Sequence, residues 1–247
     1  MEKKYLQQLK ENGIIVISNY FDKKTCNKLI DQIEEFSKTK KVLSQTDEGL
    51  GGDLRIFDFE KFSKVAMDFS DDNSLRKIVS TYSNSNLKTK TVLAGKVTYK
   101  KSLNTNSGGD WHRDGEEKQL KAMVYLSDVK EENGPFCFIK ESKNIEFKRR
   151  DGNYSFFQTL FFFFKGLPLK PPRYKNEFII KNPNIKNKIY KVTATAGTLI
   201  IFDGNYIHRG DVITSGLRYS LTNYYFPVSE KTVINSIKNK IKKYVLN

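Results

Sequence analysis

Residues 217–226 alternate without a break, placing Tyr219, Leu221, Asn223 and Tyr225 on one face and Arg218, Ser220, Thr222 and Tyr224 on the other. Successive side chains of a β-strand point to opposite sides, so this pattern predicts one long strand with two distinct surfaces. Shorter β-prone runs precede it. Residues 91–99, 121–126 and 136–139 each predict a strand, and 189–202 predict two, broken at Ala196-Gly197. Residues 102–110 read as a polar, Gly-rich loop. The N-terminal part reads differently. Residues 3–11 predict a short polar helix stopped by Asn12-Gly13, and Ile14, Ile15, Val16 and Ile17 predict a buried strand. Asp22 can cap a helix whose apolar stripe is Leu29, Ile30, Ile33 and Phe36. Residues 38–52 read as a loop, and 71–82 as a helix capped by Asp71 or Asp72. Many short strands behind a helical N-terminus predict a mainly β fold with flanking α-helices, a barrel or jelly roll.

A length of 247 residues fits one domain with a core that needs no staples. Its helical part covers about 1–90 and its β core about 90–228. Residues 229–244 read as a basic amphipathic helix, with Val233, Ile234, Ile237 and Ile241 at helical spacing. That helix is expected to pack on the sheet, with peripheral membrane contact as the alternative. Residues 154–175 combine Phe156, Phe157 and Phe161 to Phe164 with Pro168, Pro171 and Pro172. They read either as a helix burying its phenylalanines against the barrel or as a substrate-facing lid.

Two cysteines, Cys26 and Cys137, allow at most one disulfide and no CxxC zinc site. They point to a reducing, cytoplasmic setting. The first six residues lack the apolar core of a signal peptide, and no apolar run reaches the roughly 18 residues that a membrane span needs. Lys and Arg exceed Asp and Glu by 15. Such a surplus suits nucleic acid, an anionic membrane or an acidic substrate. Here the charges are spread along the chain, which favours a solvated surface over a nucleic-acid partner.

The chain has only two histidines, His112 and His208. His112 opens His112-Arg113-Asp114, and residues two apart on a strand face one side, so His112 and Asp114 can point at one ion. A lone HxD arises often by chance, and either histidine alone reads as structural. Together they gain meaning. His208 follows the strand-forming run that ends near Phe202, on a turn that presents it. Two histidines and a carboxylate with open positions make the facial triad of non-haem Fe(II) oxygenases, although zinc hydrolases use a similar set. Arg218, ten residues past His208 on the next expected strand, is placed to clamp a carboxylate in bidentate fashion.

These residues, with Tyr99-Lys100 before the loop, Trp111 to Gly115, Tyr125-Leu126-Ser127-Asp128, Glu132-Asn133-Gly134-Pro135, Gly197-Thr198 and Leu217-Arg218-Tyr219-Ser220, resemble the phytanoyl-CoA dioxygenase-like branch of the Fe(II)/2-oxoglutarate oxygenases. Gly13 to Ile17 and the helix after them resemble that family's N-terminus. The resemblance covers most of the chain and is strongest over 96–226. It implies a double-stranded β-helix (jelly roll, cupin-like), Fe(II) on His112, Asp114 and His208, and 2-oxoglutarate on Arg218. It also implies co-substrate contacts near Lys96 and Met123. The implied reaction takes 2-oxoglutarate and O2 to succinate and CO2 while a substrate C–H bond is hydroxylated. Because Asp114 is present, halogenation is not expected. Two departures stand out: Glu141-Ser142-Lys143 replaces the family's Gly-Ser-His, and 154–175 matches no segment of the family. The implied substrate is a small or carrier-linked molecule, and Arg113, Arg149, Arg150 and Lys165 suggest that it is anionic. The alternatives are a non-catalytic basic module that binds nucleic acid, and a zinc hydrolase on a cupin-like barrel.

Overall fold

A computed structural model describes residues 2–38, 53–101, 110–114, 119–145 and 172–228. Of the expected 38–52 loop Lys38 belongs to a helix and the rest lies outside these residues, as do 102–109 of the expected 102–110 loop, most of the aromatic segment and the expected C-terminal helix.

The N-terminal elements form where their caps stand. Helix α1 (Glu2–Asn12) ends at Gly13, whose φ of 72° and bond from its N–H to the Leu9 carbonyl (2.8 Å) close the last turn. A side chain rarely adopts that φ, which is why a glycine stands there. Strand β1 (Ile14–Ile17) follows. Helix α2 (Lys23–Lys38) is capped by Asp22, whose Oδ1 accepts from the Thr25 N–H at 2.7 Å, and it buries Cys26, Leu29 and Ile33. Next come β2 (Asp53–Ile56), α3 (Lys64–Ser70) and α4 (Asn73–Ser83). Asp72, not Asp71, caps α4 by accepting from the Ser74 and Leu75 N–H groups. The sequence pattern missed β2 and α3. The seven residues of α3 span barely two turns, and β2 carries two charges in its four residues and lacks the all-β-branched run that marks β1.

The remaining elements are β3 (Leu87–Thr98), β4 (Trp111–His112), β5 (Leu120–Tyr125), β6 (Phe136–Ile139), β7 (Arg173–Tyr174), α5 (Asn176–Lys181), α6 (Pro183–Lys186), β8 (Ile189–Val192), β9 (Leu199–Asp203), β10 (His208–Gly210) and β11 (Leu217–Pro227). They make two antiparallel sheets, ordered β1-β9-β5-β11-β3-β2 and β7-β4-β10-β6-β8. Long strand β11 is the spine of the larger sheet. It pairs with β3 along its whole length and with β5 from Ser220 to Tyr225.

The two faces of β11 part as its alternation predicts. Tyr219, Leu221 and Tyr225 join Leu29, Ile33, Phe69 and Val79 in the core under the helices. Arg218, Ser220, Thr222 and Tyr224 face a cavity between the sheets. A second apolar cluster, with Tyr125, Phe136, Phe138, Ile200 and Phe202, joins the sheets. The Tyr125 hydroxyl donates to the Val192 carbonyl (3.1 Å) and accepts from the Phe136 N–H (2.8 Å), so a buried polar tip bridges the sheets without an orphaned group. A third cluster, around Trp111, Cys137, Ile179 and Ile207, backs the smaller sheet. Cys26 and Cys137 are both buried free thiols. Among the described residues no helix is long and apolar enough to cross a membrane.

Candidate metal centre

Strands β4 and β10 are antiparallel neighbours, and His112 stands directly opposite His208. Opposed residues share a face, so both rings enter the inter-sheet cavity with centroids 4.5 Å apart. His208 is thus held by a strand rather than by the expected turn. Asp114 lies beyond the end of β4, so strand alternation is not what brings it in. Its N–H donates to the Gly204 carbonyl (2.9 Å), and the Gly204 N–H donates to the Gln119 carbonyl (2.8 Å). This backbone chain turns the carboxylate toward the histidines. Its Oδ2 is 3.4 Å from His208 Nε2, its Oδ1 is 3.9 Å from His112 Nε2, and one ligand atom from each residue fits within 4.8 Å of the others.

The hydrogen bonds set the histidine tautomers. His112 Nδ1 is 2.8 Å from the Asp110 carbonyl, and His208 Nδ1 is 2.8 Å from the Tyr206 carbonyl. A carbonyl only accepts, so each Nδ1 carries the proton and each Nε2 offers a lone pair to the centre. Burial, and then the neighbouring His208, push the pKa of His112 down to about 3, which keeps its ring neutral. For Asp114, burial alone would raise the pKa. The Lys121 ammonium and the histidines outweigh it and hold the carboxyl well below the usual range. His208 Nε2 and Asp114 Oδ2 are buried without hydrogen-bond partners. Two lone-pair donors buried together without protons to accept are costly unless a cation joins them. The donor set suits a metal ion such as Fe(II).

Arg218 reaches the same cavity from β11. Its Nη1 is buried without a hydrogen-bond partner, and Nη2 would lie 3.2 Å from a Cβ placed on Gly210. Gly210 is two residues along β10 from His208, about 7 Å at the usual strand rise. Met123 also lines the cavity, opposite Thr222. Lys96 does not. It sits between the cavity-facing Gly95 and Val97, so alternation turns it outward, where its Nζ donates to Glu34 Oε1 at 2.7 Å. Arg113 also turns away from the cavity, donating to the carbonyls of Ser142 and Ile145. Arg149, Arg150 and Lys165 lie outside the described residues.

A family model described as phytanoyl-CoA dioxygenase (PhyH) matches residues 9–218. The chain belongs to the phytanoyl-CoA dioxygenase family. Its class is therefore that of the iron- and 2-oxoglutarate-dependent dioxygenases. Comparison with curated proteins gave no match. Solved structures similar to this PhyH-family chain include the epimerase SnoN in complex with Fe3+, alpha ketoglutarate and nogalamycin RO, with 12% identity, a TM-score of 0.69, and 92% of this chain and 83% of that chain covered. HygX from Streptomyces hygroscopicus, with nickel and 2-oxoglutarate bound, has 17% identity and a TM-score of 0.61 over 92% of this chain and 87% of its own. AviO1 from Streptomyces viridochromogenes Tue57 has 13% identity and a TM-score of 0.60 over 93% and 96%. At these identities the likeness shows the jelly-roll fold.

Among the residues that the sequence reading missed, Lys121 and Gly210 line the PhyH-family cavity and Gly204 backs Asp114. Lys121 precedes Met123 by two on β5, and its Nζ donates to Asp114 Oδ1 at 2.7 Å. The alternation that placed Met123 also placed Lys121, but a lysine reads as solvated by default. Gly204 and Gly210 left no signal, because their role is the space they leave. A Cβ on Gly204 would collide with Asp114 Oδ2, and one on Gly210 would crowd Arg218.

Proposed function

We propose that the protein is an oxygenase in which His112 Nε2, Asp114 Oδ2 and His208 Nε2 hold Fe(II), Arg218 holds the distal carboxylate of 2-oxoglutarate, and an anionic small molecule is oxidised. One observation carries this reading: buried atoms of Asp114, His208 and Arg218 lack partners, and all three residues line one cavity. Two of these atoms are electron-pair donors and the third is a cationic donor, which matches an iron and a dicarboxylate that together complete the site.

Bound iron with 2-oxoglutarate supplies the oxidising chemistry, consuming O2 and releasing succinate and CO2. The chain's own residues position and shield. The carbonyls of Asp110 and Tyr206 hold both imidazoles in the Nε2-facing tautomer. Arg218 fixes the far end of the diacid, and Met123 and Thr222 wall the space between. Phe136 and Phe202 pack on the His208 ring at 5.7 and 5.1 Å and keep water from its inner face.

Charge supports an anionic substrate. The cavity of about 580 Å³ is lined by Arg55, Lys90, Lys121, Arg173 and Arg218 against Asp53 and Asp114. A divalent ion and a 2-oxoglutarate dianion cancel, so the loaded cavity keeps an excess of three positive charges. A phosphorylated or carboxylated substrate would offset it. Asp114 occupies the position that a halide would need, which favours hydroxylation. The similar structures nonetheless include an epimerase and a carbocyclase, so product analysis belongs with the assay.

The test is an anaerobic titration with Fe(II) and then 2-oxoglutarate, followed by the visible metal-to-ligand charge-transfer band. The band is expected in wild type and lost in His208→Ala. Iron uptake without a band would overturn the assignment and return the choice to a zinc hydrolase or a basic binding module. Succinate release with phosphorylated, carboxylated and neutral candidates then tests the substrate class, and turnover confined to neutral candidates would refute the charge argument.

A further inference from the structure

The Asp114 carboxylate is divided between two tasks. Oδ1 accepts from Lys121 Nζ at 2.7 Å, while Oδ2 is buried, has no hydrogen-bond partner and lies 3.4 Å from His208 Nε2. Lys121 is not a surface lysine that happens to reach inward. It sits mid-sheet on β5, paired in register with Phe202 on β9 and Tyr224 on β11. Only 10% of its side chain is exposed, and its ammonium lies 4.7 Å from the centre of the Tyr224 ring and 5.8 Å from that of Phe202. Among the described residues Asp114 is its one carboxylate partner. A buried ammonium between two aromatic rings loses that partner only at the cost of an uncompensated charge.

We propose that Lys121 is a positioning residue that makes Asp114 a one-oxygen ligand. It holds Oδ1 away from the ion, so that Oδ2 alone binds. The consequence is the number of open positions. A carboxylate chelating through both oxygens would take one of the three sites that a two-histidine, one-carboxylate centre leaves for the co-substrate and O2. Lys121 would thus protect co-substrate chelation rather than metal affinity. The inference rests on the metal-centre reading above, and the experiment separates the two.

Infrared difference spectra, metal-loaded minus apo, are recorded on the full chain carrying 13C-labelled aspartate, with Zn(II) as the probe metal. The separation between antisymmetric and symmetric carboxylate stretches is wide for one-oxygen binding and narrow for chelation. Wild type should give the wide separation and Lys121→Met the narrow one, and Lys121→Arg, which keeps a cationic donor, should restore the wide one. In the Fe(II) protein Lys121→Met should weaken 2-oxoglutarate binding on the order of tenfold. A narrow separation in wild type overturns the proposal even if no variant folds. So does a Lys121→Met spectrum identical to wild type. Failure of wild type to take up one metal ion per chain would instead remove the metal-centre reading itself.

Discussion

Replacing Arg218 with methionine keeps much of the side chain's volume and removes its charge. The guanidinium sits on the cavity face of β11 with Nη1 buried and without a partner, and Gly210 leaves room beside Nη2. If its partner is the distal carboxylate of 2-oxoglutarate, the variant leaves that carboxylate buried and unpaired. Truncating one member of a buried, hydrogen-bonded charge pair costs about 2–5 kcal/mol. The dissociation constant should then rise roughly 30- to 5000-fold. Anaerobic titration of the Fe(II)-loaded protein gives that constant directly. The matching change on the ligand is 2-oxopentanoate, which keeps the keto-acid end and lacks the distal carboxylate. Wild type should bind it poorly, and Arg218→Met should bind the two ligands with similar affinity, because the interaction is already absent. Lys96→Met serves as the control. It faces Glu34 outside the cavity, so 2-oxoglutarate affinity should not change. Wild-type affinity in Arg218→Met, or equal binding of both ligands by wild type, would refute the clamp.

Gly204→Ala should abolish stoichiometric metal binding, because a Cβ there collides with Asp114 Oδ2 and comes within 3.0 Å of the Gln119 carbonyl. Metal analysis after dialysis checks this, and an intact one-to-one ratio would show that the loop can shift at little cost. Glu34 accepts from Lys96 Nζ at 2.7 Å and from the Tyr219 hydroxyl at 2.6 Å, and these bonds lower its pKa. A lowered folded-state pKa contributes stability above the unfolded value, about 4.3, that is lost as pH falls through the folded one. Glu34→Gln should therefore be less stable than wild type at pH 7, with the gap closing below about pH 4. Urea midpoints across that range test the sign, and a gap that widens in acid would contradict it.

The elements most legible in the sequence were those whose pattern is local. The alternation of β11 separated the core-facing Tyr219, Leu221 and Tyr225 from the cavity-facing Arg218 and Thr222, because a side-chain period of two depends only on the strand itself. The four-residue strand β1 and the cap at Asp22 were equally clear. The same rule turns Lys96, which the family resemblance puts near the co-substrate, away from the cavity: its parity on β3 sends it to Glu34, opposite to Gly95 and Val97. The turn expected to carry His208 is strand β10, since pairing with β4 and β6 supplies hydrogen bonds that the local sequence does not announce.

The sequence by itself determined the fold class and the inventory of chemistry: two histidines, an aspartate two residues past the first, and an arginine ten residues past the second. Residue types and local spacing carry that information. The tertiary structure alone decided which atoms meet. Only the register of β4 against β10 puts His112 opposite His208, only the Gly204 carbonyl turns Asp114 inward, and only the seat of Lys121 on β5 divides the two oxygens of Asp114. The first two contacts join residues some ninety positions apart and the third joins residues seven apart, and the geometry of all three is set by sheet pairing and close packing rather than by residue types or local spacing.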